Sequence, residues 1–201
     1  MVKKNDWLIQ IRKEYNQDLD IDLDNIKGKK LNLCCGKDYR KGWDNADVEE
    51  GVDLCFDANI FPYPIEDSVY DFILIGQALE HLNEPDKVLL ECWRICKQNS
   101  IIAIIVPYYN SEGAVADMQH KHYFSDFTFK VFVEDVSKLD FNEGNHKFEI
   151  EYLELIPTTL GRYIPSKWLR KKLSLIFGGI IGKVCVRLKV LKLIKLIKEG
   201  K

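Results

Sequence analysis

Residues 30–77 read KLNLCCGKDYRKGWDNADVEEGVDLCFDANIFPYPIEDSVYDFILIGQ. The rhythm of this stretch decides the fold. Lys30 to Cys35 reads as a strand that ends at Gly36. Ala46-Asp47-Val48 is a second, very short strand, and Val52 to Asp57 alternates into a third. Tyr70 to Ile75 is an unbroken apolar run, the pattern of a strand buried on both faces. Further along, Asn83 to Cys96 predicts a helix. Val88, Leu89, Cys92 and Ile95 make one stripe, and Asn83 with Asp86 supplies a start signal. Ile101 to Val106 is another buried strand, stopped by Pro107. On the N-terminal side, residues 3–16 predict a short helix with Trp7, Ile11 and Tyr15 on one side. Strands separated by helices require crossovers, which make a mostly parallel, doubly wound α/β sheet with helices on both faces.

The second half has another texture. Residues 108–125 predict a long polar loop, a length that is unusual unless it serves a function. Asp126 to Val136 predicts a helix and Lys147 to Ile156 a strand. Pro165 to Phe177 predicts a basic amphipathic helix. Val184, Val186, Leu188 and Val190 alternate as a half-exposed, antiparallel C-terminal strand. Neither repeats nor low-complexity linkers interrupt the chain. We expect one domain over residues 1–201: a helix and link (1–28), a ligand-binding half (29–110) and a substrate-side half (111–201) ending in a basic segment.

Composition narrows the class. The 201 residues are 46% hydrophobic and 30% charged, which excludes a disordered, collagenous or disulfide-dense chain. No apolar run is long enough to span a bilayer, and the first residues lack the apolar core of a secretory signal. The six cysteines contain no CxxC pair, so reduced thiols and a cytoplasmic location are expected. The net charge of −2 hides an asymmetry. Residues 162–201 carry 12 Lys and Arg against one acid, whereas the other 161 residues carry 17 against 30. A basic tail on an acidic body suits an anionic membrane surface, a charged glycan, a phosphorylated substrate or the body itself.

In such sheets ligands bind beyond the carboxyl ends of the strands. Gly36 lets a ligand approach the backbone closely. Asp47, eleven residues on, can accept hydrogen bonds from both hydroxyls of a ribose. Asp57, followed by Ala58-Asn59-Ile60-Phe61-Pro62, can accept from an adenine amine while the apolar neighbours hold the ring. Together they describe an adenosine-shaped slot. The plainer reading makes both acids turn formers at strand ends.

The order LNLCCG (31–36), GWDNADV (42–48), VDLCFDANIFPYPIEDSVYDFI (52–73), ALEHL (78–82), LLECWRICK (89–97) and IIAIIVP (101–107) resembles the class I S-adenosylmethionine-dependent methyltransferases, type 11 branch. The resemblance implies a Rossmann-like sheet and S-adenosylmethionine as cofactor. Cys34, Cys35 and Gly36 would line its methionine end. Asp47, with Val48 beside it, would bind the ribose, and Asp57 with Ala58 the adenine. Gly76 and Gln77 would flank the sulfonium. Asp71 matches a structural acidic position, and Glu80-His81 an element of varying role. Residues 160–192 loosely resemble the tail of members found among cell-surface polysaccharide genes, which implies a small-molecule or glycan acceptor. The chain departs from the family at Cys34, which replaces the first glycine. It departs again at Lys37 to Trp43, too short for a full crossover helix.

Methyl transfer to oxygen or nitrogen calls for a base near neutral pH, and His is the natural choice. Of His81, His120, His122 and His146, the first three are the candidates, with His120 or His122 ahead of His81. The alternatives are a helix-start role for His81 and a solvated loop for the other two. His120 and His122 would face one way in an extended segment, with Asp117 near, but no third ligand stands out and no metal is expected. Residues 165–177 would either dock on the acidic body or contact an anionic membrane, peripherally at its inner face. Nucleic acid is not expected. An NAD-dependent oxidoreductase would need GxGxxG, which is absent. A catalytically inactive binding or scaffold module with the same fold is the remaining alternative.

Overall fold

The computed structural model describes residues 4–138 and 147–192; His146 lies outside them. Seven strands form one sheet: β1 (Lys30–Leu33), β2 (Asp44–Asp47), β3 (Leu54–Cys55), β4 (Tyr70–Gly76), β5 (Cys96–Pro107), β6 (Lys147–Pro157) and β7 (Ile181–Leu191). Their order is β3-β2-β1-β4-β5-β7-β6. Every neighbouring pair from β3 to β5 is parallel. β7 runs antiparallel to both β5 and β6. This is the mostly parallel, Rossmann-like sheet with an antiparallel C-terminal strand.

Alternate residues divide the core in two. Leu31, Leu33, Ile73, Ile75, Ile102 and Ile104 face α2 (Pro85–Ile95), which buries Val88, Leu89, Cys92 and Ile95 against them. Phe129 of α4 (Asp126–Lys138) joins the same cluster. Phe72, Leu74, Ala103, Ile105 and Cys185 face the other way, under Tyr15 and Leu19. Tyr15 belongs to α1 (Lys4–Asp18), and Leu19 follows it directly. Both faces of the central strands are therefore dry, which explains their unbroken apolar runs.

Where the chain differs from its sequence pattern, polar contacts are the reason. β1 and β2 are joined without any helix. Asp38 instead pairs with Arg12 at 2.7 Å and Arg40 at 2.8 Å. The buried Asn45 donates to the carbonyls of Arg40 and Trp43 and to Asp53. These contacts brace a connection that a crossover helix normally supplies. β3 keeps only two of its six expected residues. β5 starts at Cys96, five residues early, because Lys97-Gln98-Asn99-Ser100 extends the strand instead of turning. Ser100 donates to the Tyr70 carbonyl, and Lys97 pairs with Asp71 at 2.7 Å. Asp71 also accepts from the Lys29 amide, a structural brace at the start of β4.

The long segment after β5 is not all loop. It holds α3 (Glu112–Val115), capped by Ser111, and bridges back through Tyr108 and Phe124. Between β6 and β7 come α5 (Thr159–Arg162) and α6 (Lys167–Ser174). α6 is shorter than the expected 165–177 and is capped by the Ser166 hydroxyl.

Candidate functional site

The carboxyl ends of β1, β2 and β4 carry the predicted residues. Past β1, Cys34 and Gly36 both take left-handed backbone, at φ 54° and 47°. The Cys35 amide donates to the Ala46 carbonyl at 3.0 Å, tying the two strand ends together. A Cβ on Gly36 would meet nothing within 4 Å, so open space lies over that position.

Asp47 spans this gap. Its Oδ2 accepts from the Gly36 amide at 2.8 Å. Its Oδ1 accepts from the amides of Val48 at 2.8 Å and Glu49 at 3.3 Å. A carboxylate has about four acceptor positions, so one remains on Oδ2. Asp57 uses Oδ1 for both bonds from Asn59, amide and side chain, and has no Oδ2 partner among the described residues. Ala58 is buried beneath it, and Tyr63 donates to the Ala58 carbonyl. The exposed side chains of Val48 and Ile60 stand at this edge. Burial, then the charges of Asp47 and Asp57, push the Cys34 thiol up to about 12.

Gly76 closes β4. A Cβ there would lie 2.6 Å from Cε2 of Tyr15, so the tyrosine ring from α1 packs on bare backbone. Gln77 follows in left-handed conformation, with its amide bound to the Ile105 carbonyl at 2.8 Å. Its side-chain Nε2 is buried without a partner among the described residues.

Beyond Gln77 opens a cleft of about 470 Å³, lined by Gln77, Glu80, His81 and residues from Gly113 to His120. Glu80 is 1% exposed, and neither of its carboxylate oxygens has a hydrogen-bond partner among the described residues. Burial pushes its carboxyl up to about 7. Its backbone carbonyl accepts from the amides of Lys121 and His122, which straps segment 116–122 across the site. The His81 and His120 rings meet edge to face at 4.6 Å. Burial, then the neighbouring His120, lowers the pKa of His81. His120 bonds the Ala114 carbonyl through Nδ1 at 2.8 Å.

His122 does not share this cleft. Its Nε2 bonds the Asn83 carbonyl at 3.1 Å, and the ring borders a separate hollow with Leu79, Pro85 and Phe124. The expectation that His120 and His122 face one way is corrected: the bonds to Ala114 and Asn83 turn the rings apart. The structure brings a different trio together, with one ligand-capable atom from each of Glu80, His81 and His120 lying within 4.8 Å of the others. Sequence reading missed Glu80 as part of this group, and it missed Tyr15. A glutamate before a helix and an aromatic on an apolar stripe carry no signal of where the chain returns.

Residues 35–104, 70 of the 201, match the type 11 family described as a methyltransferase domain. No curated protein matches the chain in sequence. Among solved structures, a SAM-dependent methyltransferase from Archaeoglobus fulgidus is 18% identical, with a TM-score of 0.58 over 92% of this chain and 93% of that one. A second, from Mesorhizobium loti, is 11% identical, with a TM-score of 0.52 over 81% and 90%. The [4+2]-cyclase SpnF is 13% identical, with a TM-score of 0.59 over 91% and 80%. These likenesses are of fold, and the cyclase among them shows that the fold alone does not name the reaction.

Proposed function

We infer that the chain is an S-adenosylmethionine-dependent methyltransferase that moves the methyl group in line onto a small-molecule or glycan acceptor seated in the cleft beyond β4. The observation that carries the reading is the pair of orphaned polar groups on the cleft wall. The Gln77 amide nitrogen and the Glu80 carboxylate are buried without partners among the described residues, and such groups are normally satisfied. A polar ligand would satisfy them.

The strand ends fit the cofactor. The open space over Gly36 admits its methionine end. The remaining acceptor position of Asp47 suits a ribose hydroxyl. The unpaired Oδ2 of Asp57 suits the adenine amine, with Val48 and Ile60 beside the ring. When bound, the cofactor supplies an already activated methyl on its sulfonium. The chain then has to hold the acceptor in line, and orientation alone can supply about 7–11 kcal/mol of the barrier. An oxygen or nitrogen acceptor also sheds a proton. His120, on the strap, and His81, after β4, line the cleft.

Calorimetry with S-adenosylmethionine and its demethylated product, followed by product release across a panel of glycans and small hydroxyl compounds, tests this reading. Binding of both ligands, and turnover with one acceptor class, is expected. No binding at millimolar ligand would overturn it. Binding without turnover on any acceptor would favour the inactive scaffold, which no feature of the site recommends.

The reading also includes peripheral contact with an anionic membrane through 165–177. Trp168, Leu175, Ile176 and Phe177 are more than half exposed beside Arg170 and Lys172. No helix among the described residues is long and apolar enough to cross a membrane.

A further inference from the structure

We propose that Glu80, His81 and His120 form a binding site for a divalent first-row transition metal on the wall of the acceptor cleft. Three observations converge. One potential ligand atom from each residue lies within 4.8 Å of the others. Glu80 is 1% exposed, has both carboxylate oxygens without a hydrogen-bond partner, and makes no ion pair among the described residues. Burying a carboxylate without a counter-charge is unfavourable, and a cation is the group that would offset it.

The third observation is the orientation of the His120 imidazole. His120 donates Nδ1–H to the Ala114 carbonyl at 2.8 Å, which leaves the lone pair on Nε2. The His81 ring packs edge to face against the His120 ring, with ring centroids 4.6 Å apart. A metal-ligating histidine characteristically donates its other ring nitrogen to a carbonyl, which fixes tautomer and direction. The His120 ring is therefore set as a ligand before any ion arrives, with His81 packed beside it.

The donor set chooses the metal. Two imidazoles and one carboxylate favour zinc, iron, cobalt or nickel over magnesium and calcium, which prefer oxygen ligands. Bonds of about 2.0–2.2 Å put ligand atoms about 3–3.5 Å apart. The trio closes by roughly 1 Å, and the ligand that moves is His120 on its strap. Three protein ligands leave coordination positions open towards the cleft. An acceptor presenting an oxygen there would be held by the metal and pointed at the methyl group. This role rests on the methyl-transfer reading, but metal binding itself does not.

The test uses the full chain, stripped of metal with a chelator and titrated with Co²⁺ and then Zn²⁺. One equivalent of Co²⁺ with visible d–d bands is expected. Affinity should fall by about 100-fold in His120→Gln and in Glu80→Gln, within the range for disturbed metal sites, and stay unchanged in His122→Gln. Thermal melts by circular dichroism confirm that each variant folds. Should Glu80→Gln fail to fold, His120→Gln decides, because His120 sits on the outer strap. Absence of d–d bands in the wild type, or wild-type affinity in His120→Gln, would overturn the site. Calorimetry with S-adenosylmethionine on the stripped protein keeps the two ideas apart. Cofactor binding with no cobalt site retires the metal alone. A cobalt site with no cofactor binding retires methyl transfer alone.

Discussion

Tyr15 and Gly76 show how one missing side chain can position an element. The ring of Tyr15 occupies the space where a Cβ on Gly76 would stand. Gly76→Ala must displace a core aromatic, and overpacking of this kind costs about 1–3 kcal/mol. A fall in melting temperature of about 2–10 °C is expected for a chain of this size. Pairing it with Tyr15→Ala should make the two effects clearly non-additive, as a thermal-melt double-mutant cycle would show. The two acids at the strand ends differ in kind. Asp57→Asn removes a charged acceptor while sparing the backbone bonds around it, so cofactor affinity should fall about 10–100-fold with little change in melting, by calorimetry. Asp47→Asn also loosens the link between Gly36 and the turn at Val48, so it should lose both affinity and stability. The cysteines divide by burial. With Cys34 pushed up to about 12 and Cys55 exposed, alkylation at pH 8 followed by mass spectrometry should label Cys55 first and leave Cys34 intact.

At the level of elements, α4 and α6 are fastened together by one carboxylate. Asp126, 5% exposed, pairs with Lys130 at 3.2 Å and with Lys171 of α6. Burial pushes its carboxyl up, but the hydrogen bonds and charges of the two lysines outweigh this and hold it below the ordinary range. A depressed carboxylate pKa gives stability that is fully present above the unfolded value near 3.9 and is lost as pH falls through the folded value. Acid melts between pH 5 and pH 2 should therefore fall less steeply in Asp126→Asn than in the wild type. At pH 7 the same variant should lose about 0.5–1 kcal/mol, since both lysines are half exposed and solvent screens them. Equal slopes in the two proteins would exclude this account of the junction.

For the whole molecule, charge and apolar exposure coincide at one end. α6 gives Lys167 to Glu154 at 2.8 Å and Lys171 to Asp126, so part of its charge docks on the acidic body. Trp168 remains 69% exposed, with Ile176 and Phe177 nearby in sequence. The docked lysines and the free aromatics divide the segment between the two uses its sequence suggested. Sedimentation with phosphatidylserine vesicles should capture the protein at low salt, weaken in Trp168→Ala and Arg170→Ala, and vanish over phosphatidylcholine alone. Equal capture by neutral vesicles would remove the electrostatic part of this reading.

The sequence by itself determined the parallel half of the sheet and the stripe of α2, and it pointed to the carboxyl ends of the strands as the proposed ligand edge. These follow from local periodicity: strands buried on both faces must be apolar throughout, and a helix must turn one stripe inward. It also singled out Gly36, Asp47, Asp57 and Gln77, because strand ends are marked by the residues that stop the apolar run. Only the tertiary structure decided which side chains meet across the cleft. Glu80 lies 40 residues from His120 in the chain, and no period links them. Their meeting depends on the strap at Lys121 and His122 hydrogen-bonding back to the Glu80 carbonyl. Likewise, the missing crossover after β1 was visible as a short count of residues. That Arg12, Arg40, Asp38 and Asn45 would brace it was not: Arg12 reaches Asp38 across 26 residues, and the short-range bonds of Arg40 to Asp38 and Asn45 depend on the course the turn after β1 takes in the fold.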